Sequence, residues 1–258
     1  PVSYFHVVFT LPHELNPVIL NNKKVMFNML YKATSKTLLT FGKDKLNGTP
    51  GFLAVLHTWD QKLNPHFHLH CLVAGGAVSK DKGRWLPIKN DYLFNHKALS
   101  RVYRGKFMEQ LKLAHRNDAV RFSSQSFETL KNTLYAKDWV VSVREPVRRP
   151  EHVLEYLARY THRVAIANSR IQKLENGMVS FTAQNRKMQQ TETITITAVE
   201  FIRRFLLHSL PKGFVTVRHY VFMANRNRTE NLNAIRQLMG YRLYLKKCPF
   251  MWRNRPSM

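Results

Sequence analysis

The sequence predicts an α+β fold, with a central antiparallel sheet as its floor and helices flanking it. Three observations carry this. Apolar residues make up 44% of the 258, enough to bury a sizeable core. Short β-branched and aromatic runs are mixed with helical patterns, without a regular βαβ alternation. Two of the runs flank the stretch "DQKLNP", whose turn chemistry marks an antiparallel hairpin.

Taken in order, "VSYFHVVFTL" (Val2 to Leu11) reads as a strand. Residues 17–45 read as one long amphipathic helix, with its apolar pattern interrupted at Asn21, Asn22, Lys23 and Lys24. "GFLAVLHTW" (Gly51 to Trp59) and "HFHLHCLVAG" (His66 to Gly75) are the two strands of the hairpin. Helices follow over 96–117 and 123–135, then a strand in "DWVVSVRE" (Asp138 to Glu145). "PEHVLEYLARYTHR" opens with Pro150 at a helix N-terminus and Glu151 in the first turn. "RIQKLENGMVSFTA" is a hairpin turning at Asn176-Gly177, and "TETITIT" a further strand. "VEFIRRFLLHSL" is a helix, "GFVTVRHYVFM" a strand, and a basic helix runs from about Thr229 to Leu238. No apolar run approaches the roughly 20 residues of a membrane helix.

Charge sets the class of partner. Lys and Arg total 41 against 16 Asp and Glu, a net charge of +25. A chain so basic wants a polyanion. The basic residues sit within patterned, aromatic-rich sequence, which points to a folded nucleic-acid binder and not to a basic tail. A non-catalytic nucleic-acid-binding protein shares this charge, so chemistry has to be argued from motifs. The two cysteines, Cys71 and Cys248, make neither a disulfide framework nor a zinc knuckle. No signal peptide opens the chain, and a reducing, cytoplasmic compartment is expected. Pro1 in place of Met marks the chain as a possible fragment.

The stretch "NPHFHLHCLV" carries the first motif. Side chains alternate along a strand, so His66, His68 and His70 share one face, while Phe67, Leu69 and Cys71 share the core face. Imidazoles two residues apart on a pleated face can converge on one cation. If the hairpin turns about the middle of "DQKLNP", His57 lies opposite His68, on the same face and roughly 5 Å away. His57, His68 and His70 then form a three-histidine cluster. His66 competes for the third place, and Asp60 and Gln61 are weaker candidates. The competing reading is an ordinary polar face of a half-buried strand.

The second motif is "YLARYTHR". Tyr156 and Tyr160, at i and i+4, lie on neighbouring turns of one helix face. Val153, Leu154 and Leu157 define the apolar stripe. Tyr156 falls off it, beside His152, Arg159 and Arg163, and Tyr160 lies at its border. Amphipathic tyrosines at a core edge would look the same. A phenol beside a metal-bound phosphodiester would be a nucleophile.

Together the two motifs resemble the HUH superfamily of single-strand endonucleases, here with His68-Leu69-His70 and the tyrosine pair of its two-tyrosine branch. More closely, the chain resembles the rolling-circle transposases of the insertion-sequence ninety-one group. "HVVFTLPHEL", "AVLHTWDQ", "NPHFHLHCLVAGG", "YLARYTHRVAIANSRI", "EFIRRFLLHSLPKGFVTVRHY" and "MANRNR" carry the likeness in order from about His6 to Arg228. The eleven-residue step from His57 to His68 also resembles conjugative relaxases, whose third metal histidine is placed upstream, and so favours His57 over His66.

The resemblance implies a ferredoxin- or RRM-like core over residues 1–168, a basic C-terminal hairpin and helices over 169–245 packed on it, and a tail over 246–258. It implies a divalent metal, Mg or Mn, and single-stranded DNA at transposon ends as partner, with no membrane and no small-molecule substrate. Cleavage would leave a 5′-phosphotyrosine bond and a free 3′-OH, with the second tyrosine allowing strand transfer. A replication initiator or relaxase would share this chemistry. The family carries cysteine-rich zinc segments at both ends, and the tail "KKCPFMWRNRPSM" keeps Cys248-Pro249 without that pattern, as a truncated copy would. Arg148, Arg149, Arg159, Arg163, Arg226 and Arg228, with Lys246 and Lys247 beyond them, are the expected phosphate contacts. Trp59 and Tyr220 are candidates for stacking unpaired bases. Such a protein would work on the bacterial nucleoid.

Overall fold

The computed structural model describes residues 2–89, 91–122, 126–146, 165–185, 188–226 and 228–240. Its main sheet is antiparallel, as the hairpin pattern predicts. The strands are β1 (Tyr4–Thr10), β2 (Gly48–Trp59), β3 (Pro65–Ser79), β4 (Trp85–Pro87), β5 (Val141–Val143) and β9 (Val217–Tyr220), in the order β5-β1-β3-β2-β9 with β4 on β3. A second sheet holds β6 (Ile171–Glu175), β7 (Met178–Asn185) and β8 (Gln190–Thr197), in that order. The helices are α1 (Asn16–Asn21), α2 (Lys23–Leu46), α3 (His96–Arg116), α4 (Phe127–Ala136), α5 (Ala198–Leu207) and α6 (Arg228–Leu238).

Period-two alternation decides the two faces of the main sheet. Phe5, Val7 and Phe9 of β1, Phe52, Ala54 and Leu56 of β2, and Phe67, Leu69, Cys71 and Val73 of β3 all point to one side. There they pack against Met26, Phe27 and Leu30 of α2 and Leu99, Tyr103 and Phe107 of α3. Each of these side chains is fully or almost fully buried, so this layer dominates the stabilisation. The opposite face carries Leu53, Val55 and Leu72 in a small cluster, and the histidines beyond it.

The single helix expected over 17–45 is two. Asn22 sits between them with φ −136° and ψ 36°, outside helical geometry. Its amide donates to the carbonyls of Val18 (2.8 Å) and Arg121 (2.7 Å) and accepts from the Arg121 N–H (2.9 Å). A polar side chain that can satisfy distant backbone thus stands at the break between α1 and α2. The strand expected over Asp138 to Glu145 is paired only at Val141–Val143. The one expected over "GFVTVRHYVFM" is paired only at Val217–Tyr220, then turns through a short 3-10 segment at Val221–Met223. The β6–β7 hairpin turns at Asn176-Gly177, with φ of 50° and 72°, the left-handed pair that a two-residue turn requires.

Residues on either side of position 168 share the main sheet. β9 pairs with β2, stacking Tyr220 on Phe52 at 4.5 Å between ring centres. Phe222 then lies over Gly51, where an added Cβ would stand 2.3 Å from two of its ring carbons. Gly51→Ala should therefore cost about 2 kcal/mol and lower the melting temperature by about 5 °C. Adding Phe222→Leu should recover part of the loss. An unchanged melting temperature in the single variant would refute this packing argument.

The second sheet packs Phe181, Ile194 and Ile196 with Phe201 of α5 around Leu63 of the β2–β3 loop. That loop is gripped from both sides. Within it, the Asp60 carboxylate accepts from the N–H groups of Lys62 and Asn64, each at 2.8 Å. From outside, Arg170 donates to the Gln61 carbonyl (2.5 Å), Arg204 to that of Lys62 (3.1 Å), and His208 Nε2 to that of Leu63 (3.0 Å).

Candidate metal centre

The loop's closure sets the hairpin register, and the register builds the site. His57 pairs directly with His68, as the turn position predicts, and Val55 with His70. His57, His68 and His70 are all buried, and one ring nitrogen of each lies within 4.8 Å of the others. His68 Nε2 and His70 Nε2 are 3.0 Å apart. Two ligand nitrogens at right angles on a cation, with bonds of about 2.1 Å, are separated by roughly 3.0 Å. Among the described residues this is the only group of three or more His, Cys, Asp or Glu side chains that could hold a metal ion.

The surroundings orient the rings. His68 Nδ1 is 2.8 Å from the His66 carbonyl oxygen, which can only accept, so Nδ1 carries a proton and the neutral form of the ring turns its Nε2 lone pair to the cluster. His57 is stacked on Trp59, 5.2 Å between centres and 13° between planes. His70 Nδ1 is 2.8 Å from His6 Nε2. Burial, with His68 next in effect, holds the His70 pKa far below the ordinary histidine value. Burial likewise brings His6 down to about 4, with Arg144 and His57 adding. Both rings are therefore neutral near pH 7, the form in which imidazole binds metals.

His66 is exposed, with its ring 4.7 Å from that of His68, and it is its carbonyl that takes part in orienting the cluster. The Asp60 carboxylate is committed to its own loop. Trp59 and Tyr220 are half-buried and each has one face covered, by His57 and Phe52. Arg226 and Arg228 are exposed at the start of α6. Tyr156, Tyr160, Arg148, Arg149, Arg159 and Arg163 lie outside the described residues, as do Lys246 and Lys247. The residue that sequence reasoning missed is His6. Its strand was legible, but the pairing of β1 with β3 that brings it to His70 joins positions 64 apart and leaves no local signal.

Comparison with known proteins adds a family match, two relatives and a solved structure. A family model described as "Putative transposase" matches residues 51–231. Over 249 residues the chain is 41% identical to "Putative transposase y4qJ" of Sinorhizobium fredii, covering 92% of this chain and 63% of that protein. It is 24% identical over 239 residues to the transposase for insertion sequence element IS801 of Pseudomonas savastanoi pv. phaseolicola, covering 86% of this chain and 54% of that one. The chain thus spans less than two thirds of either relative. A solved structure of the conjugative relaxase TrwC, metal-bound and in complex with oriT DNA, aligns over 92% of this chain and 72% of its own, at 12% identity and a TM-score of 0.34. The family match runs through the hairpin that carries the histidine cluster and on into α6, over most of the chain, and on that extent the protein belongs to this transposase family.

Proposed function

We propose that this chain cleaves and rejoins single-stranded DNA at transposon ends through a 5′-phosphotyrosine intermediate. The observation that carries this is the buried cluster of His57, His68 and His70 on the face of the sheet opposite α2 and α3, in a chain of a transposase family. Three imidazoles would hold a divalent cation, which when bound supplies positive charge to the scissile phosphate. The ion would be Mg or Mn, and of the two Mn, a first-row transition ion, binds nitrogen donors more strongly. Tyr156 or Tyr160 attacks phosphorus, a P–O bond to the 3′ oxygen breaks, and the phenol's proton is balanced by protonation of the leaving 3′ oxygen. The second tyrosine repeats the exchange on another strand. Because each new phosphodiester replaces an old one, no nucleotide is hydrolysed.

Arg148, Arg149, Arg159 and Arg163 would line the tyrosine helix, and Arg226 and Arg228 would hold phosphates further along the strand. The net charge of +25 supports binding to the nucleoid. No described helix is long and apolar enough to cross a membrane.

The test is direct. Protein, Mn and a single-stranded oligonucleotide carrying a transposon end should give a covalent adduct on a denaturing gel, lost when a chelator is added. No adduct with any end sequence, or one indifferent to the chelator, would sink this reading.

A further inference from the structure

His6 raises a question that the three clustered histidines do not answer. It belongs to β1, where Val8 is the residue paired with His70, so His6 stands diagonally across from His70 on the same face. It is 6% exposed, and its Nε2 lies 2.8 Å from His70 Nδ1. A neutral ring has one donor and one acceptor nitrogen, so this contact can run in either direction. His68 has no such freedom, because its partner is a carbonyl.

The direction is fixed once His70 acts as a ligand. Its Nε2 faces His68 Nε2 at 3.0 Å, on the cluster side, and must offer a lone pair there. Its proton is then on Nδ1 and donates to His6. His6 Nε2 must accept, so His6 carries its own proton on Nδ1. We propose that His6 is a positioning residue for the metal centre, accepting from His70 Nδ1–H and so holding His70 with its Nε2 lone pair turned to the cation. This rests on the reading of His57, His68 and His70 as ligands. An outer partner of this kind is worth about 10- to 100-fold in metal affinity when it is a carboxylate or carbonyl. Here it is a second imidazole, neutral and buried, which orients the ligand without adding negative charge to the site.

The test uses the full chain and Mn2+ alone, with free ion followed by electron paramagnetic resonance. His6→Phe keeps a ring and removes the acceptor. His6→Gln places an amide oxygen near the position of Nε2. His6→Phe should bind Mn2+ about tenfold more weakly or worse, and His6→Gln should recover most of that loss. Equal affinity of His6→Phe and wild type, or His6→Gln as weak as His6→Phe, overturns the proposal. If the wild type takes up no Mn2+, the metal reading itself has failed, and that outcome is separate from both. Should His6→Phe not fold, nitrogen-15 spectra of the wild-type histidine rings with diamagnetic Zn2+ decide the matter. An unprotonated His6 Nε2 is expected, and a protonated one overturns the proposal.

Discussion

Replacing His68 and His70 together with alanine should lower metal-dependent cleavage by about a thousandfold or more. Charge stabilisation by a cation at the phosphate is worth several kcal/mol, and each 1.36 kcal/mol is a tenfold change in rate. Affinity for single-stranded DNA should change little. It comes from phosphate contacts spread over a chain of +25, and its salt dependence should persist in the variant. Oligonucleotide binding at two salt concentrations, run beside the cleavage gel, separates the two effects. His68→Gln with His70→Gln guards against loss of fold, since both rings are buried and their removal opens space. Cleavage at wild-type rate in either double variant would show that these rings are not the metal's ligands.

The second large effect belongs to the tyrosines. Tyr156→Phe with Tyr160→Phe should remove the covalent adduct altogether, because no phenol oxygen is left to take the phosphate. The single variants should differ from each other. By the sequence pattern Tyr156 is expected to fall off an apolar helical stripe, toward His152, Arg159 and Arg163, and to attack first. Tyr156→Phe should then lose the first nick, while Tyr160→Phe should nick once and fail at transfer. The readout is the ratio of adduct to rejoined product. An adduct of undiminished yield in the double variant would remove both residues from the chemistry.

What could be read from the sequence was whatever is local. The β2–β3 hairpin, its turn, and His57 opposite His68 all follow from alternation over a single loop. The split of β3 into a core face and an imidazole face was legible for the same reason. The helix break at Asn22 was visible only as a polar interruption. What the sequence did not show is its partner Arg121, 99 residues on. His6 was hidden because strand pairing between distant segments is chosen by the packing of Phe5, Val7 and Phe9 against the helices, and not by His6. The pairing of β9 with β2 is four residues long, because the chain then turns at Val221–Met223 and sets Phe222 over Gly51, so an eleven-residue β-rich run overstated it.

The grip on Asp60–Asn64 has a consequence for how such a gene decays. Copies of a mobile element inherit substitutions and small insertions or deletions alike. A substitution at one histidine would remove one imidazole from the cluster and leave the rest of the face intact. Gain or loss of a single residue between Trp59 and His66 shifts β3 by one position against β2, and a one-position shift exchanges the faces of a strand. Phe67, Leu69 and Cys71 would then be offered to the substrate, and the imidazoles driven into the apolar layer. The five residues of the loop thus act as a reading frame for the site, and Asp60, Arg170, Arg204 and His208 are the clamps that keep it in phase.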